Sequence, residues 1–358
     1  MQNSFSRRSF VKSCLAGAAA LKLTAGSTAL LSVLATPENA QARGTAGRVG
    51  EYTQTKLLMG TFVTMTVAHH DESSAHAAME GAFAEIQRLE SIFSRHDQAA
   101  VLSQLNAKGS LNDAPAEFYS LLRESLAFGD RLPSFDVSVA PLVDLLASRA
   151  NPTGSMSLDA AELAAASALV DRSAIRLESG RIRLLKSGMA LTLDGIAKGH
   201  ITDLASAALR KQGAVNHLIN AGGDIYASGL RSDSKPWLVA VENPLTPGQS
   251  HVALCSLGAR TSGGEAAGQA IATSGSYRNF YDRAHQQHHL IDPASGRSSQ
   301  GFCSITVSAP NARLADALAT ALGAMSANEA ARAIESQPGC AALFIAADGS
   351  QLRSSKWA

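Results

Sequence analysis

Aromatic residues are scarce at 5 %, charged residues make up only 17 %, and just four cysteines are present among 358 residues. The formal net charge is +1, and no long run of lysine or arginine occurs. A nucleic-acid binder would carry a basic stripe, so that class is excluded as a reading. The cysteines lack CxxC spacing, which argues against a zinc site or a disulfide framework; small buried thiols are the simpler expectation for Cys255, Cys303 and Cys340. No internal repeat or low-complexity linker divides residues 51–358. Hydrophobic residues reach 46 %, enough for a large core, and 29 glycines favour tight turns and close backbone approaches.

The N-terminus carries Ser6-Arg7-Arg8-Ser9-Phe10-Val11-Lys12, then a mildly apolar stretch from Cys14 to Leu34, then Ala40-Gln41-Ala42 ahead of Arg43. This is the pattern of a twin-arginine export signal with a small-x-small cleavage site. Lys22 and several Gly, Ser and Thr residues dilute the apolar run below what spans a bilayer. Residues 1–42 are therefore expected to be removed, leaving 43–358 as a single periplasmic domain with no stable membrane span. The mature chain would carry 27 basic and 29 acidic residues, so charge gives it no reason to bind a membrane surface.

Periodicity predicts a strand over 57–67 broken at Gly60 and helices over 73–93, near 115–129 from Pro115, and over 158–170 after a Ser157 cap. A hairpin is expected around Ser179-Gly180 and a helix over 197–212. Strands near 215–220, 223–228, 237–241, 252–256 and 302–308, a helix over 311–325 and a closing strand at 341–346 follow. Helices mixed with antiparallel hairpins point to an α+β fold.

Three segments carry chemistry. In Leu191-Thr-Leu-Asp-Gly-Ile-Ala-Lys-Gly-His200 a β-like run stops at Asp194-Gly195 and a helix follows. That arrangement presents backbone N–H groups to phosphate, with Lys198 adding charge, though an ordinary strand–helix connection reads the same way. On the 311–325 helix, Asp316 and Thr320 stand one turn apart, opposite the stripe Leu314, Leu318, Leu322, Met325. A carboxylate and a hydroxyl so placed suit a hard cation such as Mg²⁺; a capped or hydrogen-bonded Asp is the alternative. The run His285-Gln-Gln-His288-His289 has no second ligand cluster and leads into the turn Asp292-Pro293-Ala294-Ser295-Gly296, so one histidine acting as a base is favoured over a metal cluster. Asn220-Ala-Gly-Gly-Asp224 and Thr273-Ser-Gly275 add glycine turns after apolar strands.

Taken in order, Met59-Gly60-Thr61, Phe93-Ser94-Arg95-His96 with Ser103-Gln-Leu-Asn106, Ser134-Phe135-Asp136-Val137-Ser138, Asp194-Gly-Ile-Ala-Lys-Gly199, Asn220-Ala-Gly-Gly-Asp224, Thr273-Ser-Gly275, His289-Leu-Ile-Asp-Pro293 and Ala315-Asp316 to Thr320 resemble the ApbE family of FAD:protein FMN transferases across nearly all of 51–346. The resemblance implies a two-lobed, T-fold-like α+β domain with largely antiparallel sheets and a flavin cleft between the lobes. It implies FAD contacts from Met59, Ser134, Phe135, Asp136, Lys198 and Ile291, and marks His96, Thr192, Asp194, Gly222, Gly223 and Asp224 as further positions on the flavin side. Asp316, Thr320 and the carbonyl near Gly195 would hold Mg²⁺ against the diphosphate. His289 is the implied base, with Asp292 orienting it. The implied reaction places FMN from FAD on a Ser or Thr hydroxyl of a periplasmic flavoprotein domain, releasing AMP. Two departures stand out: Thr192 occupies a position where many members have Asp, and His96 one where many have an aromatic ring. An FAD carrier without transferase activity and a Mg²⁺-dependent FAD pyrophosphatase are the alternative readings.

Overall fold

A computed structural model describes residues 49–260, 266–277, 279–284 and 286–357. The expected export segment and His285 lie outside these residues.

Its framework is an antiparallel sheet. The path runs β1 (Gly50–Leu58), β2 (Thr61–His69), β6 (His217–Ala221), β7 (Asp224–Ser228), β11 (Ala266–Gly275), β14 (Ser304–Ala309), β15 (Ala341–Ile345) and β16 (Gln351–Arg353), with β10 (Ala259–Arg260) added beside β11. The run 57–67 is thus not one strand. Leu58 pairs with Thr61 across a two-residue turn in which Met59 (φ 52°) and Gly60 (φ 70°) are both left-handed. That is the turn whose twist suits a tight hairpin, and a Met in it gives no sequence signal.

Three helices cover one face of the sheet: α1 (Glu72–Phe93), α6 (Ala197–Lys211) and α7 (Ala312–Gly323). Asp71 caps α1 by accepting from the Ser74 amide at 2.7 Å. Met79, Phe83, Ile86 and Leu89 of α1 are fully buried, each contributing about 1.5–3 kcal/mol of hydrophobic stabilisation. The opposite face packs Leu218, Ile225, Ala227 and Ile271 against Trp237, Val239, Val241 and Leu257 of a separate hairpin, β8 (Trp237–Glu242) and β9 (His251–Leu257). The central strand β11, hydrogen-bonded on both sides, was not visible as a strand in the sequence; in it Ala270 faces Tyr226 and Ala309.

Between β2 and β6 the chain adds α2 (Val101–Lys108), α3 (Ala116–Arg131), α4 (Ala140–Ser148) and α5 (Ala160–Ser167). It also adds a small sheet ordered β3 (Ser110–Leu111), β5 (Arg181–Leu184), β4 (Ile175–Glu178). α5 starts later than periodicity suggested, because Asp159, not Ser157, accepts from the Ala161 amide. A satellite core joins Leu142 and Leu146 of α4, Ala166 of α5 and Ile291 of the short hairpin β12 (Ile291–Asp292) and β13 (Arg297–Ser298). α8 (Ala327–Glu335), with a capping box between Ser326 and Glu329, completes the domain. Among the described residues no helix is long and apolar enough to cross a membrane.

Candidate functional site

The sheet ends in two adjacent glycine turns. Gly222 (φ 66°) and Gly223 (φ 104°) link Ala221 to its partner Asp224. A Cβ on Gly222 would lie 2.4 Å from the Thr61 hydroxyl, so this turn presses against the Met59-Gly60 turn. Asp224, 1 % exposed, is aimed from this end of the sheet at Lys198, whose ammonium donates to its carboxylate. Met59 itself packs partly buried against the main core, and its amide donates to Glu90 at 2.6 Å.

Lys198 stands on the first turn of α6. The segment leading to it is not a sheet strand. Asn106 of α2 clamps Leu191, donating to its carbonyl and accepting from its amide, both at 2.8 Å, and the Thr192 amide donates to the Val137 carbonyl at 2.8 Å. These bonds fix where Asp194-Gly195 turns into the helix. Asn106 closes the Ser103-Gln-Leu-Asn106 motif, and its clamping role comes from a partner 85 residues away that only the fold brings near.

Two glycines bring α6 against α7. A Cβ on Gly199 would fall 2.2 Å from the Ala312 carbonyl, and one on Gly195 would fall 2.7–2.8 Å from the Thr320 side chain. The resulting close approach lets the Gly199 amide donate to Asp316 at 3.0 Å. Asp203 of α6 also caps α7 by accepting from the Ala312 and Arg313 amides at 2.8 and 3.0 Å. Both sides of α7 are covered, and Asp316 is 4 % exposed. Burial, then the neighbouring Asp224 carboxylate, push the Asp316 pKa up to about 8, against the pull of Lys198. For Lys198, burial opposes the cation, but Asp224 and Asp316 outweigh it and its pKa is raised. Asp316, Thr320 and the backbone at Gly195 therefore converge, and a hard divalent cation would relieve the carboxylate repulsion there. Among the described residues no group of three or more His, Cys, Asp or Glu side chains is placed to hold a metal, so a cation here would rest on mixed oxygen donors.

A cleft opens beside this point, between the main and satellite cores. Ser134, Phe135, Asp136, Thr192, Gly195, His289, Ile291 and Thr320 all line it. Phe135 is held edge-on to Phe128 at 5.1 Å. The Asp136 carboxylate is engaged internally, accepting from the Ser138 amide and hydroxyl at 2.8 and 2.6 Å and facing Arg172 at 3.3 Å. Two buried polar atoms in this lining, Ser134 Oγ and His289 Nδ1, have no hydrogen-bond partner. Burial first, then the His288 and Lys198 charges, lower the His289 pKa, so its ring is neutral. The Asn279 backbone accepts a hydrogen bond from the ring, which leaves Nδ1 as the lone-pair nitrogen.

Asp292 does not orient that ring. Its carboxylate accepts from the Ala294 and Ser295 amides at 3.0 and 3.2 Å, closing its own turn. His96 is exposed and outside the cleft lining. Asp194 projects to the rim with 53 % of its side chain exposed, while Thr192 lines the cleft.

A sequence profile described as the ApbE family matches residues 59–344. The chain belongs to the ApbE family. It is 28 % identical over 328 residues to the FAD:protein FMN transferase of Treponema pallidum (strain Nichols), covering 85 % of this chain and 87 % of that one. It is 27 % identical over 313 residues to the FAD:protein FMN transferase of Haemophilus influenzae, with 82 % and 88 % covered. The flavin transferase ApbE from Vibrio cholerae has the same fold, with a TM-score of 0.71 at 24 % identity over 86 % of this chain and 98 % of that chain. The ApbE protein from Thermotoga maritima superposes with a TM-score of 0.74, also at 24 % identity, covering 86 % and 97 %. The α+β, largely antiparallel architecture is thus the ApbE fold.

Proposed function

We propose that this ApbE-family chain is a Mg²⁺-dependent FAD:protein FMN transferase acting on a Ser or Thr hydroxyl of a periplasmic redox protein, after export by the twin-arginine route. The observation that carries the reading is the pair of partnerless buried atoms, Ser134 Oγ and His289 Nδ1, in the cleft floored by Gly195 and Thr320. A buried polar atom without a partner costs about 1–3 kcal/mol, a cost that a bound polar ligand removes.

Asp316, Thr320 and the Gly195 backbone fit a Mg²⁺ ion, which when bound would offset charge on the FAD diphosphate. Lys198, kept cationic by Asp224 and Asp316, adds a second positive charge beside it. His289 Nδ1 accepts the proton of the acceptor hydroxyl, whose oxygen forms the new bond to the FMN phosphorus as the bond to AMP breaks. Phe135 and Ile291 give the cleft its apolar walls, and Thr192 and Ser134 offer hydroxyls to the ligand.

The test is incubation of the mature protein with FAD, Mg²⁺ and a candidate periplasmic flavoprotein domain, followed by a denaturing gel viewed under ultraviolet light. A fluorescent acceptor band that vanishes with EDTA or with Asp316→Ala supports the reading. Free FMN and AMP with a dark band point to a pyrophosphatase, and intact bound FAD with a dark band points to a carrier.

A further inference from the structure

Thr192 and Asp194 stand two residues apart in the turn that leads into α6. The structure gives the two side chains different surroundings. Thr192 lines the cleft, and its hydroxyl accepts from the Asp194 amide at 3.1 Å, which turns the Asp194 side chain outward. Arg95 lies on the far side of that carboxylate. It leaves the C-terminus of α1 just past the Ser94 cap and keeps only 9 % of its side chain exposed. One guanidinium nitrogen pairs with Asp144 of α4, and the other lies 3.6 Å from Asp194. A largely buried arginine thus ties the α1 terminus, α4 and the turn before α6 together. Asp144, by contrast, is 60 % exposed, so the buried partner is the arginine.

The charge balance gives this bridge its purpose. Asp194 is close enough to act electrostatically on Lys198, Asp316 and His289. Lys198 is paired with Asp224 and also feels the Asp316 and Asp194 carboxylates, at a place proposed to receive an anionic diphosphate. A freely moving Asp194 would repel that diphosphate from the cleft mouth, because like charges interact strongly where protein lowers the dielectric.

We infer that Arg95 is a positioning residue of the dinucleotide site: through the Asp144–Arg95–Asp194 bridge it holds the Asp194 carboxylate on the rim, so that Thr192, and not Asp194, faces FAD. This rests on the reading that the cleft binds FAD. Arg95 acts only through Asp194 and has no contact of its own with FAD or the acceptor.

The test is FAD binding followed by flavin fluorescence, with and without Mg²⁺, for wild type, Arg95→Gln, Asp194→Asn and the double variant. Freeing Asp194 in Arg95→Gln should weaken FAD binding about tenfold, as one unpaired charge near the ligand would. Asp194→Asn removes the repelling charge and should tighten binding by about two- to fivefold, and the double variant should return to within about threefold of wild type. Arg95→Lys, which keeps the charge, should recover most of the loss. A structural role for Arg95 would not be rescued by neutralising Asp194, so a double variant as weak as Arg95→Gln overturns the inference. Weaker binding by Asp194→Asn alone also overturns it, since Asp194 would then be a ligand-binding group. If Arg95→Gln loses its cooperative melt, Asp194→Asn, at a half-exposed position, still decides the matter. Failure of the wild-type protein to bind FAD at all would instead remove the functional reading on which the inference rests.

Discussion

Gly195 and Thr320 are so close that a Cβ built on the glycine lies 2.7 Å from the threonine methyl and 2.8 Å from its hydroxyl. Gly195 does not have a left-handed φ, so alanine there meets no backbone strain, and the whole effect falls on Thr320. Gly195→Ala is expected to fold with a loss of about 1–3 kcal/mol while losing most of the stabilisation that Mg²⁺ and FAD together confer. Thermal melts with and without both ligands measure this; an unchanged ligand-induced shift would detach this pair from the site.

A second close approach separates packing from chemistry. Gly199→Ala would set a Cβ 2.2 Å from the Ala312 carbonyl, where only backbone can yield, so α6 and α7 must part. The expected cost is about 3 kcal/mol, and because the same turn supplies the amide that holds Asp316, Mg²⁺ affinity should fall too. Gly213→Ala is the contrast: that glycine is at φ 84° with no atom within 4 Å of a Cβ, so alanine should cost about 1–2 kcal/mol from conformation alone and leave ligand binding intact. Chemical unfolding and metal titration of the two variants, run side by side, check the distinction.

The tautomer of His289 sets its chemistry. His289→Gln keeps a polar side chain in the cleft but removes the nitrogen lone pair left free at Nδ1. FAD should still bind, with transfer to the acceptor reduced about 10²–10⁴-fold. Comparing FAD titrations with single-turnover flavinylation separates the two; transfer at the wild-type rate would remove His289 from the chemistry.

Much of this organisation was legible because the residues concerned obey a single period. The Phe83, Ile86, Leu89, Phe93 spacing marks α1 almost to the residue, and the stripe Leu314, Leu318, Leu322 marks α7 in the same way. The Asp316/Thr320 pairing and the glycine turn before α6 were visible for the same local reason. What was hidden depends on partners distant in sequence. β11 reads as small residues without alternation, since both its neighbours and both faces are covered. The β1–β2 turn needs a methionine in a left-handed conformation that only the flanking strand pairing imposes. Asp292 looked like a partner for His289 from its nearness in sequence, yet its own turn amides lie closer in space. Arg95 and Asn106 belong to family-like motifs, but their roles arise from Asp194, 99 residues further on, and from Leu191, 85 residues further on.

Acid stability depends on a buried histidine outside the cleft lining. His217 is fully buried in β6; its Nδ1 donates to the Ala214 carbonyl at 2.7 Å and its Nε2 accepts from Ser206 of α6 at 2.8 Å. Burial, reinforced by Arg210, brings its pKa down to about 4 despite the Ala214 bond. A histidine depressed in the folded state takes up its proton first when unfolded, so the stability it supports at neutral pH is lost as pH falls from about 6.5 towards 4. The buried carboxyl of Asp316 works in the other direction, because a raised carboxylate pKa favours the folded state as pH falls. The two are separated by comparing wild type with His217→Gln at each pH. The variant should be less stable than wild type at pH 7.5, and between pH 7.5 and pH 5 that deficit should shrink by about 2 kcal/mol, because only wild type carries the histidine that must stay neutral. Urea unfolding at the two pH values measures it. A deficit independent of pH would mean that folding leaves the His217 pKa unchanged, and that the Ser206 and Ala214 contacts alone account for its contribution.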